Sequence, residues 1–202
     1  MDLKDKVAVI TGGASGLGRA TVRRFVANGG KAAIFDMNEE KGNQLVAEYP
    51  GMVIFCNVNV TSEDSVAAGI AATIEAFGAI HICCNFAGTG NAKRTMGKKG
   101  PFPLDEFNHI IQINLVGTFN VLRLCAEKMS TNDVLNDDGC RGVIINTASI
   151  AAYEGQIGQA AYSASKGGVV GMTLPIARDL AVLGIRVNTI VPGLIATPLM
   201  MV

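Results

Sequence analysis

Eight residues near the N-terminus, Thr11-Gly-Gly-Ala-Ser-Gly-Leu-Gly18, constrain the fold more than any other stretch because of what flanks them. An apolar strand, Lys6-Val-Ala-Val-Ile-Thr11, precedes them, and a helical pattern from about Leu17 to Ala27 follows. Strand, tight glycine loop and helix in that order open a right-handed crossover unit, which requires a parallel sheet buried on both faces. Gly12 permits the sharp turn, Gly16 a close backbone approach to phosphate, and Gly18 close packing of helix against strand. With Ser15 and Leu17 these glycines form a cradle at a helix N-terminus, whose free N–H groups and positive dipole end suit a pyrophosphate. The spacing is Gly-x-x-x-Gly-x-Gly, not the common Gly-x-Gly-x-x-Gly.

The rest of the chain alternates strands and helices without a linker. Strands are expected at 31–36, 52–58, 80–86, 142–147 and 186–191. Helices are expected from Asn38 through Glu48, after a capping box at Thr61-Ser-Glu-Asp64 through Phe77, from about Leu104 to Lys128, and from about Gln159 to Leu183. Six strands separated by helices imply one Rossmann-type, doubly wound α/β domain over residues 1–202, with ligands outside the strand carboxyl ends. A 49% hydrophobic content and 24 glycines agree with strands covered on both faces. Zero formal net charge gives no global field for nucleic acid or an anionic membrane. The charge-alternating start and the lack of a long apolar run predict no secretory signal and no membrane span, hence a cytoplasmic or other reducing location. The odd set Cys56, Cys83, Cys84, Cys125 and Cys140 lacks metal-ligand spacing and reads as buried or bystander thiols.

Asp36 ends the second strand about 20 residues beyond the glycine loop, where a carboxylate accepts hydrogen bonds from an adenosine ribose. It would repel a 2′-phosphate, and Ser15, Met37 and Asn38 offer no cation to receive one, so NAD is expected rather than NADP. At the other strand ends stand Asn85-Phe-Ala-Gly88, Thr147-Ala-Ser149 and Pro192-Gly193. Tyr162 and Lys166 lie four apart at a helix start, on one face, thirteen positions after Ser149. That set suits oxidation of a secondary alcohol by a nicotinamide: Tyr162 takes the hydroxyl proton, Lys166 favours the phenolate electrostatically, and Ser149 orients the substrate oxygen.

These motifs, with Asn114, resemble those of the short-chain dehydrogenase/reductase family over essentially the whole chain. Segments 143–149, 155–166 and 171–180 are most similar to family members that oxidise 3-hydroxyacyl-CoA thioesters and certain hydroxysteroids with NAD as homotetramers. The resemblance implies that Asn114 holds a water linking Lys166 to solvent, and that Lys166 also holds the nicotinamide ribose. It implies a carboxamide contact for Thr197, cofactor contacts for Asn59, Val60, Asn85, Ala87, Gly88, Pro192 and Gly193, a substrate contact for Gln156, and a mitochondrial matrix location as an alternative. Asn59 stands where the family usually has Asp beside the adenine, His81 where it commonly has Asp, and Phe86 where it has a smaller or polar residue. His81 and His109 read as structural. A noncatalytic binding or scaffold subunit is the competing function, against which the intact Ser149, Tyr162 and Lys166 argue; other ketoacyl reductases or steroid dehydrogenases of the family are the competing activities.

Two further expectations concern the periphery. Lys93, Arg94, Lys98 and Lys99 crowd the loop from Thr89 to Pro103, which predicts a contact with the phosphates of a coenzyme A ester. The chain stops at Val202, short of the family's covering helix and last strand, which predicts a truncated form with an open pocket, little catalysis and an unpaired edge at the sixth strand.

Overall fold

Val7–Thr11 forms strand β1 because five consecutive residues are buried, so a parallel neighbour on each side and helices on both faces must cover it. In the computed structural model, which describes residues 2–197, those neighbours are β2 (Lys31–Asp36) and β4 (Ile82–Asn85). The remaining strands of the sheet are β3 (Val53–Asn57), β7 (Gly142–Thr147) and β8 (Ile185–Ile190), in the order β3-β2-β1-β4-β7-β8, and every pairing is parallel. The chain winds one way from β1 to β3 and the other from β4 to β8. The crevice at that reversal opens above the carboxyl ends of β1 and β4. Among the described residues β8 is an edge strand; the segment beyond Thr197 lies outside them.

The helices are α1 (Gly16–Ala27), α2 (Glu39–Glu48), α3 (Glu63–Phe77), α4 (Leu104–Ile111), α5 (Gly117–Met129) and α6 (Ala160–Ala181). One apolar cluster joins Val22, Phe25 and Leu45 of α1 and α2 to one face of the sheet. A second joins Val66, Ile70, Val121, Leu122 and Ile176 of α3, α5 and α6 to the other. The layers are therefore helix, sheet, helix. Asn38 caps α2, its side chain accepting the Lys41 N–H at 3.0 Å. At α3 the expected capping box is shifted by one residue: Ser62, not Thr61, is the cap and accepts the Ser65 N–H at 3.3 Å.

Three features depart from the expected elements. The helix expected over 104–128 is broken by a π-helical turn, Gln112–Val116, where the Gly117 N–H reaches back five residues to the Gln112 carbonyl. The extra residue coincides with the wholly buried Asn114, whose side chain reaches across to Thr89. A short antiparallel hairpin, β5 (Met96–Gly97) with β6 (Gly100–Pro101), stands in what the sequence presents as a polar loop. A single 3₁₀ turn, Ile150–Ala152, follows β7. His81 is structural, as expected: its Nδ1 accepts the Val7 N–H at 3.0 Å and extends the β1–β4 pairing. No described helix is long and apolar enough to cross a membrane.

Candidate active site

The glycine loop is held against the loop after β4 by one side chain. Thr11 Oγ1 accepts the N–H of both Phe86 (3.1 Å) and Ala87 (3.0 Å). That approach leaves no room at Gly12, which has φ +62° and where a Cβ would lie 2.9 Å from the Ala87 nitrogen. Gly18 is equally closed, but against a different partner from the one expected. A Cβ there would lie 2.2 Å from the Gly12 carbonyl oxygen, so the contact is with the loop's own backbone rather than with the strand.

A crevice of about 340 Å³ runs over this loop. Its floor is Gly12, Ser15, Gly16, Leu17 and Gly18; one wall is Asp36, Asn59 and Val60; the other is Ala87, Gly88 and Thr197. Eleven residues expected from sequence thus converge there. Phe86 also lines it, in keeping with a ring that fills space beside the cofactor; Phe35, Met37, Val58, Thr89 and Ile113 line it as well and were not anticipated as lining residues, although three of them directly adjoin Asp36 or Asn59 in sequence. Cradle, α1 N-terminus and carboxylate wall fit a dinucleotide.

Asp36 does more than line the wall. Its Oδ2 accepts the Ala14 N–H and its Oδ1 the Asn38 N–H, each at 3.0 Å, so it also braces the glycine loop. Asn59 Oδ1, expected to face the adenine, accepts from the Thr61 N–H (3.0 Å) and hydroxyl (2.8 Å). Asn85 is not among the lining residues. It is buried, and its amide donates to Asn146 Oδ1 at 2.9 Å, joining the ends of β4 and β7.

The second group lies along α6 and the end of β7. Lys166 is 5% exposed, and its Nζ donates to the Thr147 carbonyl at 2.7 Å and stands 5.7 Å from the centre of the Tyr162 ring. Burial lowers its pKa from 10.5 to about 8, so the ammonium still predominates near neutrality. Ser149 is extended and half-buried; its Oγ accepts the Ala151 N–H at 3.2 Å, which leaves its own proton to donate. The Ile150 N–H donates to the Pro192 carbonyl at 3.0 Å, and Gly193 borders Ile150. Pro192 and Gly193 therefore secure the turn that carries Ser149 and are not among the crevice-lining residues.

Asn114 is the buried link between these groups. Its Oδ1 accepts the Thr89 N–H and its Nδ2 donates to the Thr89 carbonyl, both at 2.8 Å, and to Ser165 Oγ at 3.0 Å. Gly88 lies within a Cβ's reach of Asn114 Oδ1 and Lys166 Nζ, so the wall of the crevice and the Tyr162–Lys166 pair are adjacent. Gln156, by contrast, is exposed in the loop before α6, its N–H donating to Gln159 Oε1.

The chain belongs to the short-chain dehydrogenase family, whose model matches residues 6–202. It is 53% identical over 200 residues to the 3-hydroxyacyl-CoA dehydrogenase type-2 of Rattus norvegicus, covering 98% of this chain and 76% of that protein. The crystal structure of 3-hydroxyacyl-CoA dehydrogenase type-2 from Mycobacterium avium superposes with a TM-score of 0.93 at 43% identity, over 100% of this chain and 80% of that one. The 3-ketoacyl-(acyl-carrier-protein) reductase of Brucella melitensis, solved as a complex with NADH, superposes with a TM-score of 0.88 at 30% identity, over 98% and 80% of the two chains. The protein is a nicotinamide-dependent dehydrogenase of this family.

Proposed function

We propose that the protein interconverts 3-hydroxyacyl-CoA and 3-ketoacyl-CoA with NAD. The observation that carries this reading is the meeting of an Asp36-walled dinucleotide crevice with Tyr162 and Lys166 across Gly88. When bound, the nicotinamide supplies the hydride acceptor. Ser149 donates its free proton to the substrate oxygen and orients the alcohol. Tyr162, as the phenolate that the Lys166 ammonium stabilises, takes the hydroxyl proton and becomes the neutral phenol as the hydride leaves for the nicotinamide. The Thr147 carbonyl holds Lys166 in place while leaving two of its N–H groups for ribose hydroxyls. Asn114, with its amide committed to Thr89 and Ser165 and its backbone carbonyl accepting the Thr118 hydroxyl at 2.7 Å, fixes the loop between the two halves; that it also holds a water linking Lys166 to solvent is supported by the family resemblance.

NAD rather than NADP is supported by Asp36, whose carboxylate lines the crevice and forms no ion pair among the described residues. The acyl thioester as substrate class is supported by the names of the similar proteins, and a homotetramer and activity on hydroxysteroids by the family resemblance alone. The test is steady-state turnover of 3-hydroxybutyryl-CoA and a hydroxysteroid with each cofactor. The expected result is turnover of the thioester with NAD, at least about tenfold better than with NADP; no turnover of the thioester with either cofactor would overturn the reading.

A further inference from the structure

Ser165 stands between Tyr162 and Lys166 on α6, and no step of the alcohol oxidation uses it. It is wholly buried, so its hydroxyl must find its partners within the protein. Both capacities of that hydroxyl are filled. Its Oγ donates to the Tyr162 carbonyl at 2.7 Å and accepts from Asn114 Nδ2 at 3.0 Å. A bond back to a carbonyl three residues earlier is ordinary for a helical serine. The bond to Asn114 is not, because it crosses to the π-helical turn between α4 and α5.

The donors and acceptors admit one arrangement. The Ser165 proton is committed to Tyr162, so toward Asn114 the oxygen can only accept, and of the amide's two ends only the nitrogen can give. The other Nδ2 proton goes to the Thr89 carbonyl and Oδ1 takes the Thr89 N–H, both at 2.8 Å. Asn114 thus pairs with both backbone groups of one residue, as a neighbouring strand would, and Ser165 holds it in that orientation. The Thr118 hydroxyl, donating to the Asn114 carbonyl at 2.7 Å, fixes the backbone behind it.

These bonds join the two halves of the site. Thr89 lines the cofactor crevice, and its neighbour Gly90 packs on the Tyr162 ring, where a Cβ would lie 3.1 Å away. The series Tyr162, Ser165, Asn114, Thr89 therefore runs from the helical turn that carries the phenol to the wall of the crevice. Lys166 is anchored separately, to the Thr147 carbonyl at the end of β7. Loss of the Ser165 hydroxyl would break the first connection and leave the second intact.

We propose that Ser165 is a positioning residue for the proton and hydride transfers, setting the Tyr162 phenol against the cofactor crevice through Asn114 and Thr89. This rests on the dehydrogenase reading above. A phenol displaced by a fraction of an ångström still has the Lys166 ammonium beside it, but no longer meets the alcohol proton while the hydride is aligned with the nicotinamide.

The experiment measures oxidation of 3-hydroxybutyryl-CoA by NAD in wild type, Ser165→Ala, Ser165→Cys and Thr173→Ala, together with the dissociation constant for NAD and the pH dependence of kcat/KM. Thr173 is the control, about two turns beyond Lys166 on the same helix. Its hydroxyl also bonds back along α6, to the Val169 carbonyl at 2.7 Å, and across to Thr189 Oγ1 at 2.6 Å. Ser165→Ala should lower kcat about tenfold or more, with KM and the NAD dissociation constant within about twofold and the pH profile in place. Ser165→Cys, which keeps a weak donor and acceptor, should fall between alanine and wild type. Thr173→Ala should keep kcat within about twofold. A wild-type kcat in Ser165→Ala, or an equal loss in Thr173→Ala, would overturn the proposal and leave the dehydrogenase reading standing. So would a fall in kcat accompanied by a displaced pH profile, since the hydroxyl would then act through the Lys166 charge. If Ser165→Ala does not fold, Ser165→Cys carries the test, and a kcat at the wild-type level in it would overturn the proposal. Absence of turnover in the wild type would overturn the dehydrogenase reading and this role with it.

Discussion

Lys166 is charged at neutral pH and almost wholly buried, and its chemistry and its effect on stability come from the same fact. Among the described residues only the Thr147 carbonyl accepts a hydrogen bond from its ammonium, and burial lowers its pKa to about 8. Between pH 8 and 10.5 the unfolded chain keeps the proton that the folded chain has released, so in that window this group makes stability rise with pH. Below pH 8 both states are protonated and the folded state bears the full desolvation cost. The stability of the wild type relative to Lys166→Met should therefore improve by about 3 kcal/mol from pH 8 to 10.5, measured by denaturant unfolding. A difference flat across that range would mean that the amine is not desolvated as the fold implies. Asp36 acts at the same scale through two backbone bonds and a repulsive charge. Asp36→Ala should cut the NAD-over-NADP preference about tenfold or more in kcat/KM, and should also loosen the loop at Ala14. Retention of the full preference by the variant would place cofactor discrimination elsewhere.

At the scale of elements, the β1–α1 turn and the broken helix α4–α5 show what a sequence can and cannot display. The turn is legible because its requirements are local: an apolar strand, a positive φ at Gly12, and a helix start. Its partners are not, since the Thr11 hydroxyl meets Phe86 and Ala87 some 75 residues away and the Asp36 carboxylate folds back on Ala14. The π-helical turn at Asn114 leaves the apolar spacing of a continuous helix almost unchanged, so only the tertiary contact with Thr89 reveals it. The hairpin escaped notice for a similar reason: two paired residues per strand give no alternation to read. The loop geometry also predicts one mutation. Gly18→Ala places a methyl 2.2 Å from the Gly12 carbonyl oxygen, and backbone on both sides must shift to admit it. The expected result is NAD affinity weakened about tenfold or more and stability lowered by about 1–3 kcal/mol, by calorimetry and unfolding. Unchanged cofactor affinity would show that the loop adapts without loss.

For the molecule as a whole, the strand order places two halves of one reaction on opposite sides of a reversal between β1 and β4. The cofactor crevice belongs to β1, β2 and β3 with the loop after β4; the proton-handling residues belong to β7 and α6. Alternation of strands and helices made that division readable from sequence, as did the polar residues at each strand end. What it could not supply was the seam, built from Gly88, Asn114, Thr89 and the buried Asn85–Asn146 amide pair. Because the two halves are separate in the fold, they should be separable in function, and Tyr162→Phe is the substitution that divides them. It keeps the ring against Gly90 and removes only the oxygen that receives the proton. The decisive measurement is kcat for 3-hydroxybutyryl-CoA oxidation alongside the dissociation constant for NAD, in wild type and Tyr162→Phe. The account predicts a fall in kcat of ~10²-fold or more with NAD affinity unchanged within about twofold. Near-normal turnover by the phenylalanine variant would contradict it, because the proton would then be leaving by a group other than Tyr162.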